Sequence, residues 1–493
     1  MKLFLHDIVS DNAKRRPTDI AIIEGSKQIP YKELNRKMEN LASYMVAMGL
    51  KRGERVGLLA KNSVGSIAAY FAISKAGCVS VPLNHALNVE EISRQANDCA
   101  ISSLYVGAGF ETKAKGLVDK TKFIRFVMNE AQETLGYRVS MFPRSYLKSP
   151  ASIIYTSGTT RRPLGALLTQ ENLMSNNRAI VKYAHLKSSD KIICVLPIYY
   201  IYGLSLVISH FIVGGTVIIE TRFAYPNVLL DAIEKYCATG FAGVSSHYIM
   251  LLNMSNLANR KLPSLRYFMQ AGDKMPPDVA KRLALLFPKK KLYLMYGQTE
   301  ASPRISYLDP SLVPRKAGSV GKPIEGVRVK IVNVRGKECK EGEEGEITVK
   351  GANIMAGYWN NPVQTNTALK KGWLYTGDIG FKDPDGDIFI VGRKKDFIKI
   401  GGNRISPAQI EDMVSRLKGI MENVALSFKD PVLGERLKLF VTLVPGSKLE
   451  REQIIRFCKA NLPAYGVPRD VVVLKNMPKN SLGKIDRESL RGK

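Results

Sequence analysis

The stretch RVGLLAKNSVGSIAAYFAISKAGCVSVP, residues 55–82, carries the first structural signal. Arg55-Val56-Gly57-Leu58-Leu59-Ala60 is a short apolar run that reads as a buried strand. Ser66 to Ala76 reads as a small-residue helix, and Cys78 to Pro82 as a second strand. Strand, helix, strand is the unit of a parallel sheet. Upstream, Tyr31 to Met48 places Leu34, Met38, Leu41, Ala42 and Met45 at helical spacing. Downstream the pattern recurs. Ser152–Tyr155, Thr216–Glu220, Phe241–Ser245, Tyr267–Ala271 and Leu292–Tyr296 read as strands, and Val228–Tyr236 as a helix. Several strands run directly into polar or glycine-bearing loops, and open α/β sheets bind ligands beyond such strand ends.

From about Gly318 the style changes. Val327–Val334 and Glu346–Val349 are short strands in turn-rich sequence, which predicts a small β subdomain. Asp383-Pro384-Asp385-Gly386-Asp387 is a hairpin-like turn before the strand Ile388–Val391. After the cationic run Arg393-Lys394-Lys395, the remaining residues read as a separate small α/β domain.

A chain of 493 residues is too long for one compact core. Its apolar fraction of 45% and charged fraction of 24% are those of an ordinary globular protein. The net charge of +29 draws polyanions by long-range field. No zinc-finger spacing or basic-aromatic RNA-binding pattern accompanies it, so nucleic acid is not the expected partner. Six scattered cysteines without a CxxC pair read as reduced, partly buried thiols of a cytoplasmic protein. Ile192 to Ile219 lacks Asp, Glu, Lys and Arg, but Pro197, Gly203 and Gly214-Gly215 cut it into strand, loop, helix and strand. No transmembrane segment is expected.

The chemistry sits in short polar segments. Ile153-Ile154-Tyr155 runs into Thr156-Ser157-Gly158-Thr159-Thr160, where hydroxyls and backbone N–H groups can meet phosphate oxygens. The segment lacks the GK[ST] ending of a Walker loop. Tyr296-Gly297-Gln298-Thr299-Glu300 follows another buried strand, and Trp373-Leu374-Tyr375-Thr376-Gly377-Asp378 a further one. Gly392-Arg393-Lys394-Lys395-Asp396 through Gly401-Gly402-Asn403 comes next, then Pro478-Lys479-Asn480-Ser481-Leu482-Gly483-Lys484-Ile485.

In this order, along nearly the whole chain, the segments resemble the adenylate-forming superfamily of acyl- and aryl-CoA synthetases, beetle luciferases and peptide-synthetase adenylation domains. Gly318-Ser319-Val320-Gly321-Lys322-Pro323 and Gly345-Glu346-Ile347 through Gly357-Tyr358-Trp359 also match. The resemblance implies an α/β fold: a large N-terminal AMP-binding domain of stacked sheets with a small β subdomain, residues 1–394, and a mobile α+β C-terminal domain, residues 395–493. It implies an ATP- and Mg²⁺-dependent ligase that makes an acyl-AMP from a small carboxylic acid and then a thioester with CoA.

The resemblance also implies a role for each matching residue, and the following are expectations drawn from it. Thr156, Ser157, Gly158, Thr159 and Thr160 cradle the β- and γ-phosphates. Tyr296 packs on adenine, opposite the backbone of Ala271-Gly272. Thr299 reaches the α-phosphate, and Glu300 is a hard oxygen ligand for Mg²⁺. Asp378 accepts from the ribose hydroxyls, and Arg393 touches the ribose. Lys484 is the adenylation lysine, stabilising charge as a carboxylate meets the α-phosphate. Lys395 is the hinge, and Lys399 with Gly401 and Gly402 turns inward for thioester formation. The expected acyl pocket is Tyr200, Tyr202, Ser205, His247, Met269, Ala271 and Gly297.

The match has gaps. Arg161 stands where the phosphate loop usually has Gly, and Leu164 where it has Lys. One reading gives the missing charge to Arg161 or Arg162; another leaves a homologue that binds ATP or acyl-adenylate with weak or lost turnover. Tyr200 occupies a gate position where His is common, and Ser245 one that is often Pro. No Asp marks the amine site of amino-acid adenylation domains. The positive charge leaves open an acidic acyl-carrier protein, through its phosphopantetheine, as the acceptor. A homodimer is also allowed.

Overall fold

The computed structural model describes residues 4–131, 149–156, 164–223, 225–400, 403–430, 434–463, 466–480 and 483–491. The opening stretch folds as read: strand Arg55–Leu59, helix Val64–Lys75, strand Val79–Pro82, the two strands pairing in parallel. The helix is apolar on every side and buried from Val64 to Ser74, because other helices cover the face turned away from the sheet. Ser63 caps it by accepting from Ser66 N–H at 3.0 Å.

This unit belongs to a seven-stranded sheet whose parallel centre includes Pro150–Thr156 and Ile101–Val106. The hairpin Pro150–Thr156/Leu164–Thr169 is antiparallel and brackets the hydroxyl-rich loop. A second sheet aligns six strands in parallel, ending with Gly240–Gly243, Tyr267–Gln270 and Lys291–Gly297. The buried helix Ile201–Val213 and one large apolar core lie between the two sheets. The turn-rich strands after Gly318 continue this second sheet. Ser319–Pro323 pairs with both Arg304–Leu308 and Ile388–Arg393.

The expected strand Phe241–Ser245 is shorter: it runs Gly240–Gly243, and Ser245 opens a helix. The Asp273 carboxylate takes the Ser245 N–H at 2.8 Å and turns the chain there. The C-terminal part has its own three-stranded sheet and a core drawn from Ile398 to Leu490. No apolar cluster among the described residues joins it to the N-terminal cores. All six cysteines are free thiols, four of them buried. Among the described residues no helix is long and apolar enough to cross a membrane.

Candidate active site

The carboxyl ends of both sheets open on two adjoining cavities of about 940 and 890 Å³, which share Gly272, Gly297, Arg393 and Lys484. Tyr296 and Asp378 line the first. Thr156, Tyr200, Tyr202, Ala271, Thr299, Glu300 and Lys395 line the second.

Asp378 faces Arg393 across the antiparallel pair Trp373–Lys382/Ile388–Arg393. Its carboxylate accepts from the Tyr296 hydroxyl at 2.6 Å and lies 3.3 Å from Arg393 Nε. Burial raises the Asp378 pKa, and the Arg393 charge and the Tyr296 hydroxyl pull it back. Thr376 pins the turn: its hydroxyl donates to the Ile347 carbonyl at 2.7 Å and accepts from Asp378 N–H at 3.1 Å.

Glu300 sits in a short turn after the strand Lys291–Gly297 and is 8% exposed. Tyr358, from the other sheet, donates to its Oε1 at 2.7 Å. That bond fixes a carboxylate on the cavity wall, and its second oxygen suits a hard cation. The one acidic cluster among the described residues lies elsewhere. Asp383, Asp385 and Asp387 are filled by Lys316, whose Nζ lies 2.7, 2.6 and 2.6 Å from their oxygens.

Lys484 arrives on a C-terminal hairpin bridged between Lys479 and Ile485. Ser246 anchors this hairpin to the N-terminal part by donating to the Gly483 carbonyl at 2.6 Å. The Lys484 ammonium then lies 5.0 Å from the centre of the Tyr200 ring. Gly272 gives both room. Its φ is +100°, and a Cβ there would meet the Tyr200 hydroxyl at 2.9 Å and Lys484 Cε at 3.2 Å. Gly297 is equally confined, because a Cβ would fall 1.8 Å from the Pro303 carbonyl oxygen. Burial lowers the Lys395 pKa, with Arg393 adding to it.

Three of the expected pocket residues line neither cavity. Met269 is fully buried, its carbonyl accepting from Tyr202 at 2.9 Å and Tyr248 at 2.7 Å, and its side chain lines neither cavity. His247 packs behind the wall, 4.0 Å from the Phe223 ring, with Nδ1 accepting from Val244 N–H at 3.3 Å. Ser205 is likewise buried and donates to the Tyr202 carbonyl at 2.7 Å. Ser157, Gly158, Thr159, Thr160, Arg161, Arg162, Gly401 and Gly402 lie outside the described residues, as does the Lys399 side chain. Sequence reading placed Tyr358 in a matching motif without a role and did not mention Arg304. The signal for Arg304 is a cation heading the otherwise uncharged strand Arg304-Ile305-Ser306-Tyr307-Leu308.

Burial holds the His247 pKa down from 6.5 to about 3, with the Lys479 charge adding to it, and His210 down to about 4. Unfolding frees both to bind protons. Stability from keeping them neutral is therefore whole above pH 6.5 and is lost as pH falls toward 3 and 4. Melting temperature is expected to fall across that window, and less steeply in His247→Gln. Equal slopes in the two proteins would remove His247 from this account.

The family model described as AMP-binding enzyme matches residues 9–359, and that of the AMP-binding enzyme C-terminal domain matches residues 409–484. The feruloyl-CoA synthase of an Amycolatopsis species is 31% identical over 483 residues, covering 97% of this chain and 96% of that one. A long-chain-fatty-acid–CoA ligase of Salmonella typhimurium is 30% identical over 533 residues, covering 99% and 94%. The Bacillus subtilis o-succinylbenzoate CoA synthetase superposes with its acyl-adenylate intermediate at a TM-score of 0.88, with 26% identity and coverage of 98% and 97%. With ATP and magnesium ion the same enzyme superposes at 0.86, with 25% identity and coverage of 99% and 98%. With both models matched in chain order and AMP-forming acid–thiol ligases aligned over almost its entire length, this chain belongs to the AMP-binding enzyme family.

Proposed function

We propose that this protein joins a carboxylic acid to ATP as an acyl-AMP, releasing pyrophosphate, and passes the acyl group to the thiol of CoA. The observation that carries the reading is Lys484, delivered by the C-terminal hairpin into the cavity that Thr156, Thr299 and Glu300 line. An acid oxygen attacks the α-phosphorus, the bond to the β-phosphate oxygen breaks, and pyrophosphate takes that electron pair. Lys484 offsets the negative charge gathered in that step. Asp378 and Arg393 receive the ribose, and Tyr296 flanks the adenine. Glu300 would hold magnesium, which neutralises triphosphate charge when bound.

The thiol then attacks the acyl carbonyl and AMP leaves. For this second step we assign the C-terminal domain to residues 395–493, turning at Lys395 to bring Lys399, Gly401 and Gly402 to the thiol; a hinge of this kind moves a domain as a rigid body. The CoA synthases and ligases among the relatives support CoA as the acceptor, and the structures with acyl-adenylate and with ATP and magnesium support the order of steps. A carboxylic-acid panel with ATP, magnesium and CoA, followed by mass spectrometry, is expected to give one AMP for each thioester. ADP in place of AMP would contradict the reading. Thioester on an acidic carrier protein and none on free CoA would move the acceptor to the carrier.

A further inference from the structure

Arg304 is among the largest fully buried side chains, 1% exposed, yet it belongs to the wall of the cavity that receives Lys484. Its backbone is clamped. Arg304 N–H donates to Asn176 Oδ1 at 3.1 Å, and its carbonyl accepts from Asn176 at 2.7 Å and Asn353 at 3.1 Å. It pairs in register with Gly297, whose missing side chain leaves the neighbouring strand bare at that point. The guanidinium carbon lies 4.7 Å over the Tyr202 ring, and its charge acts on Tyr183, whose hydroxyl donates to Met295 Sδ at 3.0 Å. Nevertheless Nε and Nη2 are buried without a hydrogen-bond partner among the described residues.

A guanidinium keeps its charge when buried, and an unpaired buried charge is among the most costly groups a fold can hold. Aromatic faces offset part of that cost but satisfy no N–H bond. The two orphaned nitrogens form one edge of the planar group, with parallel N–H bonds that match a carboxylate in bidentate geometry. A row of rings leads from this edge to the reacting end. Tyr202 and Tyr200 are 6.4 Å apart, and the Lys484 ammonium lies 5.0 Å from Tyr200. Arg304 and Lys484 thus flank the Tyr202–Tyr200 pair from its two sides, and both residues line the same cavity.

We propose that the acid activated here is a dicarboxylate: one carboxylate reacts beside Lys484 and the second is held by Arg304 Nε and Nη2. The inference rests on the acyl-AMP reading above and names the substrate class of that same site. Arg304 positions the far end of the substrate and takes no part in bond making.

The test is acid-dependent pyrophosphate exchange with matched pairs: succinate, adipate, suberate and terephthalate, each against its monomethyl ester. The native protein is expected to prefer a diacid by about 100-fold or more in kcat/KM, the scale of a buried charge pair losing one partner. Arg304→Leu is expected to remove that preference through KM for the acid, with KM for ATP unchanged and monoester use kept or raised. Arg304→Lys, which keeps the charge but not the fork, is expected to fall between. Monoesters used as well as diacids by the native protein would overturn the inference while leaving acyl-AMP formation intact. Exchange with no acid at all would overturn both. Should Arg304→Leu not fold, the native protein's choice between diacid and monoester decides alone.

Discussion

Lys484→Ala is expected to lower acid-dependent exchange of pyrophosphate into ATP by ~10²–10³-fold, the usual effect of losing one fixed charge-stabilising donor. The ammonium is placed by structure around it. The Ser246–Gly483 bond holds the hairpin down, and Asn480 Oδ1 accepts from Lys484 N–H at 3.2 Å. Gly272 leaves space for the side chain beside Tyr200. None of these contacts is made by the Lys484 Nζ, so the variant should keep the native melting temperature. It should also retain transfer from supplied acyl-AMP to CoA, because that step gathers no charge between a carboxylate and a phosphate. Loss of both half-reactions together would mean that Lys484 supports the fold of the hairpin and not the chemistry.

Asp378→Ala is expected to raise KM for ATP by about tenfold or more and to destabilise the protein by about 1–3 kcal/mol. The carboxylate is 5% exposed and is the acceptor for the Tyr296 hydroxyl. Truncation leaves that hydroxyl buried without its partner, and this is where the stability cost arises. Arg393 is half-exposed and can turn to water, so its share is small. Asp378→Asn separates the two effects. An amide oxygen can still accept from Tyr296, so most stability should return, while the lost charge keeps ATP binding weak. Denaturant unfolding and KM for ATP measured on both variants check this. An Asp378→Ala protein with native KM for ATP would remove Asp378 from the nucleotide site.

Three residues of the candidate site stand in segments that the sequence marks: Glu300 just after a buried strand, Asp378 within the strand Trp373–Lys382, and Lys484 on the C-terminal hairpin. Asp378, Glu300 and Lys484 each stand in a short polar segment whose spacing is tied to the backbone. Depth was harder to read. Met269 and His247 lie in the right segments, but whether a side chain faces a cavity or the layer behind it depends on the neighbouring strand. Tyr202 and Tyr248, packed in the layers on opposite faces of the sheet, both bond the Met269 carbonyl, and Phe223 covers His247. Ser245 left its expected strand because a carboxylate distant in sequence, Asp273, takes its N–H. Arg304 and Tyr358 received no role from the sequence for a similar reason. Each gains meaning only when another element, carrying Tyr202 or Glu300, is packed against it.

In the proposed reaction an acyl-AMP forms before any thiol is engaged. Pyrophosphate exchange, run on the native protein with ATP, magnesium and carboxylic acid but no thiol, reads that order. Labelled pyrophosphate should enter ATP only when an acid is present, and Lys484→Ala should lower the signal by the same ~10²–10³-fold. Exchange that requires CoA, or that proceeds without acid, would contradict it.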